Sequence, residues 1–229
     1  GRGWTGIVKE QFPRSLKLGL LAFMWAILFG IPAGVIAALR PNTLYDYILM
    51  LFSNIGFALP AFFVATLFIY YFAVKARLVP TNGWPLGFWE YDSRVLLPSL
   101  ALALYPMAYF ARLVRGTMLE TMQQDYIRTA RAKGLRWKSI VTRHVFRNSL
   151  IPVVTATAPL FGLVITGTFV IEVIFSIPGI GRYFINSVSA RDYSVVMGIT
   201  VLTSLVVIFL NLIVDIAYGF LDPRTRTSR

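Results

Sequence analysis

The feature that most constrains this chain is a series of apolar runs, each long enough to cross a bilayer, separated by short polar stretches. A transmembrane helix needs about 20 mainly apolar residues. Hydrophobic residues make up 57% of the 229 positions, charged residues make up 14%, and the mean hydropathy is +0.68. Soluble domains are nearer half apolar and a quarter charged. The sequence therefore predicts an all-α membrane protein.

Five runs qualify as spans. We predict an external segment at 1–14, a membrane domain at 15–220 and a tail at 221–229. The second run is long enough to tilt or to be interrupted at Pro60. The predicted spans are about 15–39, 47–74, 95–113, 151–175 and 195–220, with a polar segment at 114–150.

The distribution of Lys and Arg predicts the orientation. The net charge is +12, and the densest basic block runs from Arg112 to Arg147. Lys and Arg gather on the cytoplasmic side of membrane proteins, so we place this block and the C-terminus in the cytoplasm. No basic soluble domain exists to bind nucleic acid, which is therefore not an expected partner. The absence of cysteine excludes disulfides and thiolate metal sites.

The polar segment predicts a short helix that ends in a sharp turn. Residues 124–133 are compatible with a helix, and Gly134 follows where helices commonly end in the left-handed conformation. Tyr126, Ile127 and Leu135 give this helix an apolar surface. We expect these three side chains to fit a groove in a partner protein. Periodicity alone leaves a solvated basic loop open as the alternative.

A second helix is predicted directly after the glycine turn. From Trp137 onward, apolar residues and His144 recur at spacings of three and four, and arginines face the other way. The fourth membrane run would begin at Ile151, with Pro152 in its first turn, where proline is tolerated. His144 is the only histidine, so packing is its expected role rather than metal binding.

Glu172 and Asp215 are ionisable groups at or near membrane depth. Such residues are functional candidates by default. Both stand close to the ends of their runs, so we expect pairing at the membrane interface rather than contact with a substrate. No polar residue within the spans is assigned to a substrate path, because most such groups hydrogen-bond between helices.

The segment from Asp125 to Leu135 resembles the coupling loop of ABC-transporter permease subunits of the dipeptide/oligopeptide type. Arg128-Thr129-Ala130 stands where the general importer signature has Glu-Ala-Ala, and Gly134 matches its glycine. His144-Val-Phe-Arg147 replaces Ile-x-Leu-Pro, a departure typical of the peptide-permease branch. The resemblance continues across the chain in Gly30–Arg40, Glu172–Gly181, Ala190–Tyr193 and Leu221–Arg224.

The resemblance implies the type I ABC importer transmembrane fold in a prokaryotic cytoplasmic membrane. It implies a second related permease subunit, two cytoplasmic ATPase subunits, an external solute-binding protein and membrane lipid as partners. The family has six spans, so the first span is expected to be absent from this chain. The residues expected to couple to the ATPases are Asp125, Tyr126, Ile127, Arg128, Thr129, Ala130, Arg131, Ala132, Lys133, Gly134 and Leu135.

This subunit is expected to be non-catalytic. The sequence has no Gly-x-x-x-x-Gly-Lys-[Ser/Thr] phosphate loop, so ATP and Mg are expected in the partner ATPases and no cofactor in this chain. One alternative keeps the fold and imports nickel, glutathione or another small solute. A secondary transporter would show paired intramembrane charges or an inverted repeat, and neither is seen in the sequence. A membrane scaffold that docks a cytoplasmic protein is the remaining alternative.

Overall fold

A computed structural model describes residues 4–81, 83–85 and 92–221, and every regular element in this part of the chain is helical. Its α-helices are α1 Trp4–Trp25, α2 Ile31–Leu39, α3 Leu44–Ala58, α4 Ala61–Phe68, α5 Leu96–Met122, α6 Asp125–Ala132, α7 Trp137–Ile140, α8 Arg147–Ile174, α9 Ile180–Ser189 and α10 Tyr193–Leu221. Three π-helical stretches, Ala26–Gly30, Ile69–Lys75 and Val141–Phe146, and one 3₁₀ turn, Ser93–Val95, complete these elements.

Four helical stretches in the described residues are long and apolar enough to cross a membrane, and a bent helix pair forms a fifth. This agrees with the five predicted spans, and the chain is a multi-pass all-α membrane protein. The break in the second span falls at Pro60, between α3 and α4. The stretches are Val8–Leu39, Ser93–Met122, Trp137–Ile174, Tyr193–Ile213, and the pair Leu44–Ala58 with Ala61–Lys75, which is bent by 105°.

Helix α5 lies at the centre of the bundle, with α1, α2, α3, α4 and α8 packed around it. Gly30 and Gly34 allow the closest of these approaches. A Cβ atom at Gly30 would lie 2.6 Å from the Met107 carbonyl oxygen, and one at Gly34 would lie 2.6 Å from the Ala111 carbonyl oxygen. Small residues four apart let membrane helices pack backbone to backbone. The α2–α5 contact therefore depends on both glycines.

An aromatic cluster joins three of these helices in the core. The Phe23 ring of α1 meets the Phe110 ring of α5 at 5.7 Å and the Phe161 ring of α8 at 5.1 Å, both edge to face. Edge-to-face pairs are a favourable arrangement for buried rings. The cluster fixes α1 against the two longest buried helices.

Three helix boundaries differ from the sequence prediction. Helix α1 begins at Trp4, inside the predicted 1–14 segment, and its apolar stretch begins at Val8 rather than at residue 15. Helix α5 continues to Met122, well past the predicted span end at 113. The second helix predicted in the polar segment is not a separate element, because α7, a π-helical stretch and α8 form one run from Trp137 to Ile174. Pro152 lies inside α8 rather than in a first turn. Membrane bundles tolerate an interior proline because neighbouring groups satisfy the freed carbonyl.

The two ends of the bundle are named by the short helices they carry. The α6 end holds the turn between α2 and α3, together with α6 and α7. The α9 end holds residues 76–92 where they are described, the turn after α8, and α9. The candidate site lies at the α6 end.

Candidate functional site

Helix α6 is defined by how its two ends are closed. Met122 ends α5, two residues intervene, and Asp125 opens α6 with an acidic side chain in the first turn, which suits the helix dipole. At the other end the Gly134 N–H donates to the Arg131 carbonyl at 2.9 Å and the Leu135 N–H donates to the Ala130 carbonyl at 3.3 Å. This is the Schellman pattern.

Gly134 adopts the left-handed conformation that the sequence predicts, with φ of 77°. A Cβ atom at this position would meet nothing within 4 Å. The requirement for glycine is therefore conformational rather than steric, since a β-carbon is disfavoured in this backbone region. The glycine sets the angle at which the chain leaves α6 for α7.

Three contacts hold α6 against the rest of the chain. The Ile127 side chain is completely buried. The Tyr126 hydroxyl accepts a hydrogen bond from the Asn148 side-chain amide at 2.9 Å. The Arg131 guanidinium lies 4.2 Å from the centre of the Trp137 ring. One apolar anchor and two peripheral contacts position the helix.

The rest of α6 faces outward. The prediction that Ile127 is presented to a partner is wrong, because Ile127 is the internal anchor. Tyr126 and Leu135 are 44% and 46% exposed, and Trp137 beside them is 43% exposed. The exposed Arg128–Asp125 pair, at 3.6 Å, contributes little. The exposed members of the predicted coupling set are Asp125, Tyr126, Arg128, Thr129, Arg131, Ala132, Lys133, Gly134 and Leu135, with Ala130 half-buried.

A buried ion pair joins α3 to α5 at the same end of the bundle as α6. Asp46, in the first turn of α3, is 2% exposed and accepts two hydrogen bonds from Arg115 of α5, at 2.6 and 2.7 Å. The Asn42 N–H donates to the same carboxylate at 3.0 Å. A bidentate, charge-assisted pair is among the strongest side-chain interactions. It fixes the α2–α3 turn to the helix that leads into α6.

Sequence reasoning missed this ion pair. The sequence pattern identifies Arg115 only as part of the basic block and leaves Asp46 just outside the predicted 47–74 span. The available signal was Asp46 itself, since an acid at the edge of a membrane run calls for a partner. The sequence cannot identify that partner 69 residues away.

Hydroxyl groups join α5 to α8 beside the ion pair. Thr117 Oγ1 lies 3.2 Å from the Ser149 carbonyl oxygen, and the Ser149 hydroxyl, which donates to the Val145 carbonyl at 2.8 Å, lies 3.2 Å from Thr121 Oγ1. Ser149 is almost fully buried. Bonds of this kind are the usual link between helices in a membrane. Helices α5 and α8 therefore meet as a braced pair directly at the base of α6.

Glu172 occupies the opposite, α9 end and is completely buried. Its Oε2 accepts hydrogen bonds from the N–H groups of Gly181 at 2.8 Å and Arg182 at 3.1 Å, in the first turn of α9. Oε1 has no hydrogen-bond partner in the described structure. Glu172 thus caps a helix N-terminus inside the chain. The Asp215 side chain lies outside the described residues.

The ends of the bundle do not gather metal ligands. Among the residues with described side chains, no three His, Asp or Glu groups are clustered as a metal ion would require. His144 is half-buried on the face that packs against the bundle. The features that stand out are the braced, outward-facing α6 and the Glu172 cap.

Comparison with known proteins identifies the chain's relatives. Residues 30–227 match the family described as the binding-protein-dependent transport system inner membrane component. The chain belongs to this family. The dipeptide transport system permease protein DppB of Bacillus subtilis (strain 168) is 46% identical over 223 residues, covering 97% of this chain and 71% of that protein. The oligopeptide transport system permease protein OppB of Escherichia coli (strain K12) is 42% identical over 220 residues, covering 96% and 71%.

Solved structures of other transporters share the fold of this chain. An inward-facing form of the MetNI methionine ABC transporter aligns with a TM-score of 0.77 at 15% identity, covering 97% of this chain and 99% of the other. An amino acid ABC transporter aligns with a TM-score of 0.73 at 15% identity, covering 94% of each chain. At these identities the likeness concerns the fold alone. It confirms the expected type I ABC importer transmembrane fold.

Proposed function

We propose that this inner membrane component is the permease subunit of an ATP-driven importer for dipeptides or oligopeptides, forming half of the translocation path. The names of relatives at 42–46% identity over almost the whole chain support the peptide cargo. A second, related permease subunit would form the other half. An external solute-binding protein would deliver the peptide, so the permease needs few side-chain-specific contacts.

Two features of α6 support a coupling role: most of its surface is exposed, and a buried side chain anchors it to the bundle. A helix of eight residues stands outside the spans with one buried anchor and an otherwise exposed surface. Exposed apolar residues on a short helix are the means by which a helix enters a partner's groove. We assign the exposed residues of 125–135 to contact with a cytoplasmic ATPase subunit, with Ile127 as their internal anchor. The α6 end and the C-terminus then face the cytoplasm, and the ATPase subunits bind ATP and Mg.

The bracing supplies a mechanical path from α6 into the membrane. Closure of the ATPase dimer would push α6, and Ile127 would carry the displacement into the bundle. The Asp46–Arg115 ion pair and the Thr117–Ser149 bond would pass it to α3, α5 and α8 as one body. Rotation of rigid bodies is a common way for such transitions to occur. The spans would then rock between inward-open and outward-open forms.

The test is a pair of substitutions at Gly134 in the assembled transporter. Gly134→Val carries the left-handed penalty of about 1–2 kcal/mol, so we expect peptide-stimulated ATP hydrolysis and peptide uptake to fall about tenfold. Gly134→Asn is the matched control, because asparagine tolerates this conformation, and it should stay near the wild-type rate.

The same uptake assay also separates the cargo from the coupling role. Normal uptake and normal stimulated hydrolysis in Gly134→Val would refute the role of this turn in coupling. Wild-type transporter that imports nickel or glutathione but no peptide would refute the cargo while leaving the coupling role in place.

A further inference from the structure

The break between α3 and α4 leaves backbone acceptors without partners. Helix α3 ends where the Leu59 N–H donates to the Ile55 carbonyl at 3.0 Å, and α4 begins with the Phe63 and Val64 N–H groups bonded to the Pro60 carbonyl. Pro60 has no N–H, and the chain bends by 105°. Within the described residues, no backbone N–H outside α3 donates to the carbonyls of residues 56–58.

These carbonyls lie midway along the bent helix pair that forms the second candidate span. By Ala58, α3 has risen about 20 Å from its start at Leu44, within a hydrocarbon core about 30 Å thick. Ala58 and Pro60 are exposed on the surface of the chain. Non-helical backbone at this depth is tolerated only where it is buried in protein or lines a water-filled cavity, since lipid offers no donors. The break therefore does not face lipid.

Asn54 marks the same surface one turn earlier. It lies four residues before Ala58, on the same face of α3, and its side chain is exposed. Its amide makes no hydrogen bond to any residue in the described part of the chain. An exposed, unsatisfied amide in a membrane helix is costly in contact with lipid. Asn54 and the break together form a polar surface whose hydrogen-bonding groups lipid cannot satisfy.

A cleft of about 400 Å³ opens beside the break and extends to α5 and α8. The Tyr105 ring lines it and stacks on Phe57 at 5.0 Å, while the Tyr105 hydroxyl has no hydrogen-bond partner among the described residues. Pro106 also lines the cleft and lacks the N–H that would otherwise bond the Leu102 carbonyl. Most of the remaining wall is apolar.

We propose that this cleft, defined by Ala58, Tyr105 and Pro106, with Asn54 one turn before Ala58 on α3, is a contact point for the backbone of a peptide on the translocation path. Carbonyls at a helix C-terminus only accept hydrogen bonds and carry a negative partial charge, so they select N–H groups and the terminal ammonium. The Asn54 amide and the Tyr105 hydroxyl add donors for peptide carbonyls. The apolar wall accepts varied side chains. The ligand class rests on the peptide cargo proposed above.

The first experiment exploits the absence of cysteine from this sequence. Ala58→Cys is placed in the transporter assembled with cysteine-free partner subunits and treated with a water-soluble maleimide. We expect labelling, and we expect an imported peptide to slow it more than the same peptide with methylated backbone nitrogens. Val64→Cys, at a buried position of α4, is the control and should not react.

The second experiment removes one hydroxyl. Tyr105→Phe keeps the ring on Phe57, so we expect kcat/KM for peptide uptake to fall about two- to tenfold, the contribution of one hydrogen bond. Tyr109→Phe, on the next turn of α5 and outside the cleft, should leave uptake at the wild-type level.

The outcomes distinguish this assignment from the proposed function. A transporter that imports peptide while Ala58→Cys stays unlabelled, or is labelled without protection by peptide, overturns the cleft assignment alone. Equal losses in Tyr105→Phe and Tyr109→Phe overturn it as well. A wild-type transporter that imports no peptide overturns the proposed cargo, and with it the peptide as the ligand, even where Ala58→Cys is labelled.

Discussion

Two buried carboxylates at opposite ends of the bundle are stabilised in different ways. At the α6 end, Asp46 meets the Arg115 guanidinium through bonds of 2.6 and 2.7 Å. At the α9 end, Glu172 meets the backbone N–H groups of Gly181 and Arg182 at 2.8 and 3.1 Å. The first arrangement pairs two full charges. The second pairs one acid with the start of a helix.

The difference lies in how far each contact reaches along the chain. Glu172 and Gly181 are nine residues apart, so the cap closes a local turn that the chain forms within itself. Asp46 and Arg115 are 69 residues apart, so the ion pair exists only when α3 and α5 have packed. The Glu172 cap forms within one local turn, whereas the Asp46–Arg115 pair depends on the packing of two helices. An element that must transmit displacement between helices suits the Asp46–Arg115 arrangement, because that ion pair joins two of them.

The largest effect is expected from breaking the ion pair. Arg115→Met leaves Asp46 buried without a partner, and removing one member of a buried pair costs about 3–5 kcal/mol. We expect the unfolding free energy, measured by denaturant titration in lipid nanodiscs, to fall by nearer 3 than 5 kcal/mol, because the Arg115 side chain is 28% exposed.

Two further variants make this result specific. Arg143→Met removes an exposed arginine at the same end and should leave the unfolding free energy unchanged. Asp46→Leu combined with Arg115→Met should recover most of the loss, since no charge is left buried. Equal losses in Arg115→Met and Arg143→Met would contradict the role of the pair.

A smaller effect is expected from loosening α6 alone. Ile127→Ala removes the one fully buried side chain of this helix, and such truncations cost about 2–5 kcal/mol. Here the cost should appear locally, as faster amide hydrogen exchange across 125–132 and weaker peptide stimulation of ATP hydrolysis. Arg128→Ala, at an exposed position, is the control for exchange. Unchanged exchange in Ile127→Ala would show that Ile127 is not the anchor.

The smallest effect is expected at the α9 end, from a side chain added beside the Glu172 carboxylate. A Cβ atom at Gly179 would lie 2.3 Å from Glu172 Cδ, so Gly179→Ala should destabilise by about 1–3 kcal/mol, the range for overpacking. Both variants are compared by thermal unfolding. Gly116→Ala is the control and should be neutral or stabilising, because a Cβ atom at Gly116 would meet nothing within 4 Å. If adding Glu172→Ala to Gly179→Ala recovers none of the loss, the clash is not with this carboxylate.

Much of the fold could be predicted from the sequence because the bilayer imposes it. A run of about 20 apolar residues has few alternatives to a spanning helix. The left-handed conformation of Gly134 is equally predictable, since a glycine directly after a helix-compatible stretch commonly ends the helix in that conformation. Both predictions rest on chemistry that acts within a few residues.

The errors at the α6 end share one cause. Apolar periodicity shows that Ile127 belongs on an apolar face, but not whether that face meets the bundle or a partner. Pro152 is compatible with both a first turn and a helix interior, and only the packing of α8 decides between them. Each question concerns what lies opposite a residue in space.

The sequence by itself determined that the chain is helical, crosses the membrane several times and carries a glycine-terminated helix outside the spans, because hydropathy and backbone conformation act locally. Only the tertiary structure decided that Asp46 meets Arg115, that Ile127 points inward, and that the break at Pro60 opens on a cleft beside Tyr105. These contacts join residues distant along the chain, and their partners are known only once the helices have packed around α5.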